Sequence, residues 1–126
     1  MVQENCKGIE LAVFKGREAK LNRAILQTLT KESPETIYDI YRKITQTKTL
    51  ETRYANANTR VRALEETGYI RKIGVKETKA GFKANLYEAT VRAYFAILVS
   101  SLDLDDLIGE LDEIAMLTIV STIVAR

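Results

Sequence analysis

Residues 49–70, TLETRYANANTRVRALEETGYI, carry a helical repeat that stops on a glycine and passes at once into β-branched sequence. Tyr54, Ala57, Val61 and Leu64 recur at the three-and-four spacing of a single helix face. Gly68 suits the left-handed residue that closes a helix. The other faces bear Thr52, Arg53, Asn56, Thr59, Arg60 and Arg62. These are residue types that bind phosphates and base edges. The rest of the chain is arranged around this transition.

After Gly68, residues 69–77 (YIRKIGVKE) read as a strand whose alternation shifts phase, which predicts a kink or bulge near Gly74. Residues 78–81 form a turn, and residues 82–90 (FKANLYEAT) return as the second strand of a hairpin. Arg71, Lys72, Lys76, Lys79 and Lys83 stud that hairpin. Ile70, Ile73, Val75, Leu86 and Tyr87 are its candidates for packing on the helices.

Upstream, residues 17–31 form a helix with Leu21, Ile25 and Leu29 as its stripe. Ser33 and Pro34 predict a fresh start, as N-cap and first helical residue of a second helix over 34–45. Ile37, Ile40, Tyr41 and Ile44 give it one apolar face. A polar link at 46–48 leads to Thr49, the expected N-cap of the third helix. The layout is that of a helix-turn-helix. Residues 9–14 (IELAVF) alternate well enough for a short strand, and equally for an arm packed on a neighbour.

Downstream, residues 91–101 predict a fourth helix with Val91, Tyr94, Phe95, Leu98 and Leu102 as its stripe. Asp103 caps a last helix over about 104–124. That helix is amphipathic at first and apolar on nearly every side beyond Ile114, so a second subunit is the expected cover. Leu107, Leu111, Ile114, Leu117, Val120 and Ile123 are the candidate dimerisation residues. A strand over 118–124, rich in β-branched residues, is the alternative.

Charge divides along the same line. Residues 1–90 hold 17 Lys and Arg against 11 Asp and Glu, a net of +6, whereas residues 91–126 hold 2 against 6, a net of −4. The first part is suited to a polyanion and the second is not. There is no histidine, and Cys6 is the single cysteine. A zinc site built on Cys and His is excluded, and no cofactor or metal is expected. Neither a phosphate-binding glycine loop nor paired carboxylates mark a catalytic site, so no enzyme is expected. Cys6 has nothing beside it to lower its pKa and is expected to be inert. The lone cysteine, the lack of a signal peptide and a longest charge-free run of residues 114–125 point to a cytoplasmic protein without a membrane span.

The order helix, helix, helix, strand, basic turn, strand, helix resembles the winged helix-turn-helix regulators, especially the PadR-like and MarR-like branches and short archaeal members. Two strings carry the resemblance, RVRALEETGYI at 60–70 and GFKANLYEAT at 81–90. The resemblance covers residues 17–90. The fold class it implies is α+β, mostly α: three helices plus a β-hairpin wing, with C-terminal dimerisation helices. The segments would be an N-terminal arm or short strand (1–16), the DNA-binding domain (17–90) and a helical dimerisation segment (91–126). The chain departs from the family pattern in its long TKTLETRY stretch before the third helix and in lacking a recognisable effector domain. No sequence feature marks a small-molecule effector.

The resemblance also implies that the third helix enters the major groove of double-stranded DNA and that the turn at 78–81 touches the minor groove or nearby phosphates. Base reading then falls to Thr52, Arg53, Asn56, Thr59 and Arg60. Phosphate contact falls to Arg62, Arg71, Lys72, Lys76, Lys79 and Lys83. Two plainer readings compete. The arginines can be an ordinary solvated helix face, and the wing lysines can be edge-strand charges that prevent aggregation. The rival function is a winged helix used as a protein-interaction module. Against it, residues 42–83 hold 11 Lys and Arg against 4 acids.

Overall fold

The computed structural model describes residues 10–47 and 50–125. Cys6 and the expected cap Thr49 lie outside the described residues. Among those described, six α-helices and one β-hairpin form: α1 (Ala19–Lys31), α2 (Ile37–Gln46), α3 (Tyr54–Glu66), β1 (Ile70–Glu77), β2 (Lys83–Ala89), α4 (Val91–Ser100), α5 (Leu104–Glu110) and α6 (Glu113–Val124). The chain falls into two compact units. One is Glu10–Leu98, and the other takes in the residues from Val99 onward.

In the first unit, three helix stripes meet in one core. Leu21, Ile25, Leu26 and Leu29 of α1 pack with Ile37, Ile40 and Ile44 of α2 and with Val61 and Leu64 of α3. Ile70, Tyr87 and Ala89 of the hairpin and Ala93 of α4 join them. The expected apolar spacings therefore converge, except at two tyrosines: Tyr41 is half-buried and outside the core. Tyr54, placed inward by the repeat, is 43% exposed. Its ring packs edge-on to Tyr41 at 5.7 Å and tilted to Tyr38 at 6.3 Å.

Residues 10–14 contain no strand. Ala12–Phe14 form a 3-10 turn, with Phe14 N–H bonded to the Leu11 carbonyl at 2.9 Å. Val13 and Phe14 pack against the core. The turn satisfies backbone groups locally that a strand would have needed a neighbour to satisfy.

The second helix starts later than Ser33-Pro34 suggested. Thr36 is its cap: the Asp39 N–H donates to Thr36 Oγ1 at 3.1 Å, and the Thr36 N–H donates to the Asp39 carboxylate at 3.4 Å. This reciprocal capping box satisfies two helix-end donors at once. It releases Glu35 to pair with Tyr87, each backbone N–H meeting the other's carbonyl at 3.0 and 2.9 Å. A one-residue bridge thereby ties the start of α2 to the hairpin.

Helix α3 likewise begins at Tyr54, with Arg53 as cap residue and no side-chain cap bond. Thr52 precedes the helix. Leu50 packs on the core and anchors residues 50–53 as a non-helical approach. Gly68 has φ +88°, as a helix-closing glycine should. A Cβ there would lie 3.3 Å from the Arg92 guanidinium.

The hairpin pairs Ile70 with Ala89 and Arg71 with Glu88, and its register shifts between Lys72 and Gly74. The bulge therefore falls where the phase shift in the sequence put it. Only the base of the wing is buried. Ile73 and Val75, expected to pack, are 45% and 50% exposed, because the hairpin beyond the bulge extends past the helices it rests on. Thr90 closes the base, its N–H meeting the Tyr69 carbonyl at 3.1 Å and its hydroxyl the Gly68 carbonyl at 2.6 Å.

Helix α4 buries Ala93 and Ala96 and leaves Val91, Tyr94, Phe95 and Leu98 exposed. The expected stripe is thus the outer face, and the small alanines make the inner one. In the second unit, the single helix expected over 104–124 is two helices. Asp103 caps α5, accepting from the Asp105 and Asp106 N–H groups, and Asp112 caps α6, accepting from the Ala115 N–H at 2.7 Å. A second capping aspartate interrupts the periodicity at 111–112. Residues 118–124 are helical, not a strand. No helix of the described residues is long and apolar enough to cross a membrane.

Candidate nucleic-acid interface

Around α3, Ala57, Val61 and Leu64 are buried, which fixes the roll of the helix. Successive residues turn by about 100°, so Ala55, Asn56, Thr59 and Arg62 emerge on the exposed side. These are short residues with one long cation. Thr59 Oγ1 donates to the Ala55 carbonyl at 3.0 Å, which leaves its lone pairs and methyl outward. Arg62 Nε donates to Asn58 Oδ1 at 3.0 Å, one helical turn back. Glu66 is exposed at the far end of the helix.

Three of the expected base readers stand apart from this face. Thr52 and Arg53 belong to the approach segment, with Arg53 exposed at the helix start. Arg60 is half-buried on the side facing α1, where its Nε donates to Asn22 Oδ1 at 3.0 Å. Asn22 is itself buried and donates to the Val13 carbonyl at 2.8 Å.

The cations divide into neutralised and unneutralised sets. Arg71 lies directly opposite Glu88 and forms an ion pair with it. Arg42 pairs with Asp39 at 3.7 Å. Lys43 bonds to Glu32 and lies 2.8 Å from Glu35. The hydrogen bond from Lys43, with its charge, holds the Glu32 carboxyl below its ordinary pKa. The bonds to Glu32 and then Glu35 hold Lys43 above its own. That lysine is spoken for. Among the described residues, Arg53, Arg62, Lys72, Lys76, Lys79 and Lys83 form no ion pair. Arg62 flanks the exposed face of α3, and the four lysines lie on the wing, where Lys83 shares a crevice with Arg62.

An open crevice of about 220 Å³ connects the two. Tyr38, Tyr54, Asn58, Arg62, Lys83 and Asn85 are among its walls. It brings together the start of α2, the middle of α3 and β2. Tyr38 and the two asparagines did not stand out in the sequence, and Tyr54 did so only as part of the inward face of the third helix. The only available signal was the three-residue spacing of Tyr38 and Tyr41, one of which the apolar stripe of α2 had already claimed. Among the described residues, no group of three or more His, Cys, Asp or Glu side chains could hold a metal ion.

Three helices, a hairpin on the last of them and a bridge from Glu35 to Tyr87 define a winged helix. No protein-family model matches the chain, and no curated protein sequence matches it. Solved structures do. A provisionally assigned transcriptional regulator from Thermoplasma acidophilum is similar with a TM-score of 0.53 and 20% identity, over 71% of this chain and 89% of that one. Bacillus subtilis PadR, solved in complex with operator DNA, is similar with a TM-score of 0.54 and 18% identity, over 87% of this chain. This chain spans 62% of the PadR chain's length. At these identities the likeness establishes the fold.

Proposed function

We propose that this protein is a homodimeric, PadR-type regulator that binds double-stranded DNA sequence-specifically. The observation that carries the reading is the run of wing cations held in no ion pair beside the exposed face of α3. Arg42, Lys43 and Arg71 are held in ion pairs, whereas the wing lysines and Arg62 form none among the described residues and lie by a helix face of short polar residues.

In this reading α3 lies in the major groove, about 12 Å wide and able to admit a helix. Asn56 suits adenine, while the Thr59 and Ala55 methyls suit the thymine methyl. Arg53 and Thr52 reach in from the approach segment. Arg60, tied to Asn22, fixes the roll of the helix. Arg62, Lys72, Lys76, Lys79 and Lys83 contact phosphates, which set affinity and position but carry no sequence information. Arg71 keeps Glu88 as its first partner. Residues 17–90 form the DNA-binding domain, and residues 91–126 pair two chains through Leu107, Leu111, Ile114, Leu117, Val120 and Ile123. The exposure of Ile114, Leu117, Val120 and Ile123 supports the pairing, because contiguous apolar surface of this kind marks an interaction site. Two such chains would match a two-fold operator.

The test is selection from a random duplex pool with the full-length protein, alongside its mass in solution. A recovered palindromic motif and a dimer mass are expected. A pool that stays unenriched would remove the sequence-specific reading.

A further inference from the structure

The wing ends in an aromatic side chain that the fold does not use. Phe82 is 72% exposed and has no ring contact among the described residues. A single exposed apolar residue is ordinary; the setting of this one is not. The turn that presents it is tied three times. The Phe82 N–H donates to Thr78 Oγ1 at 3.2 Å, the Gly81 N–H to the Thr78 carbonyl at 2.9 Å, and the Thr78 N–H to the Phe82 carbonyl at 2.6 Å. The ring is therefore carried on a fixed tip rather than a loose loop.

The tip is also narrow. Ala80 and Gly81 precede the ring, and Gly81 sits at φ +86° with open space around it. On either side are Lys79 and Lys83, neither in an ion pair among the described residues. An apolar ring on a slim, rigid, cationic tip matches a device of minor-groove binders. Lysines meet the phosphates on the two groove walls, while the apolar wedge enters between base steps. The groove is only about 6 Å wide, so the small residues at 80 and 81 determine whether the tip fits.

We infer that Phe82 is a minor-groove wedge that partly unstacks one base step and bends the duplex. The inference rests on the DNA-binding reading and adds to it a source of specificity outside the major groove. Steps that unstack cheaply, such as TA, would be preferred under the wing.

The experiment uses the full chain and a duplex of about 40 base pairs containing TA steps, with donor and acceptor dyes at its ends. Wild-type protein is expected to shorten the end-to-end distance, with a bend of about 20° or more. Phe82→Ala should bind about tenfold more weakly, with an unchanged salt slope and without the bend, because its phosphate contacts remain. Phe82→Leu should retain bending, since leucine is also a wedge residue. The exposed position predicts unchanged melting temperatures for both variants, and this is measured in parallel. Bending by Phe82→Ala equal to wild type, or wild-type binding without a bend, would overturn the wedge alone. A change in solution mass with bending intact would assign Phe82 to a protein contact and overturn it equally. Absence of any duplex binding by wild type at low salt would remove the DNA reading and the wedge together.

Discussion

Arg60 Nε lies 3.0 Å from Asn22 Oδ1, joining α3 to α1 across 38 residues of sequence. The same asparagine holds the Val13 carbonyl through its amide. One buried side chain therefore ties both α3 and the N-terminal 3-10 turn to α1. Asn22→Ala removes a buried partner from each, at an expected cost of about 1–3 kcal/mol in unfolding free energy. Chemical denaturation measures it. Thr59→Ala, whose hydroxyl bond is local and exposed, should change stability far less. Equal effects would show that the Asn22 network is not structural.

Gly68 turns the chain from α3 into the wing at φ +88°, with Arg92 close above it. Gly68→Ala forces a Cβ into a left-handed backbone, for about 1–2 kcal/mol, and crowds the guanidinium. A melting temperature lowered by several degrees is expected. An unchanged one would mean that the wing enters by a different backbone path.

The sequence disclosed the order of elements, the three converging stripes, the glycine exit and the bulge near Gly74. Hydrophobic periodicity is strong over α1 to α3, and Gly68 has little conformational competition. Two of the misjudged boundaries involve local capping. Thr36 with Asp39 displaced the start expected at Ser33-Pro34, and Asp112 split the last helix. Periodicity measures faces and is nearly blind to such ends. The site was partly visible. Asn56, Thr59 and Arg62 fall where the spacing put them. The fate of Arg60 and Arg71 depended on Asn22 and Glu88, partners 38 and 17 residues away. No local pattern shows such pairings.

The unpaired wing lysines yield a quantitative expectation. Every phosphate that a substitution leaves without its cation lowers the magnitude of the log–log salt slope by about 0.9. Lys79→Ala and Lys83→Ala should each do this and weaken binding evenly across sequences. Arg71→Ala should change the slope less, since Glu88 already neutralises it. A larger effect from Arg71 than from Lys79 and Lys83 would reverse the division into paired and free cations.

The exposed apolar residues of α6 predict self-association. Truncation after Ser101 should yield monomers that bind half-sites poorly, read from mass in solution and from binding to a palindromic duplex. A truncated chain that remained dimeric would place the interface elsewhere, and the exposed α4 residues Tyr94, Phe95 and Leu98 would be next to test.

In the proposed function the α3 face and the wing bind duplex DNA through cations held in no ion pair. The most direct test is the affinity of full-length protein for duplex DNA across a range of salt concentrations. Tight binding at low salt is expected, with log affinity falling linearly against log salt at about −0.9 per phosphate neutralised. No retained duplex at low salt, or an affinity indifferent to salt, would contradict it.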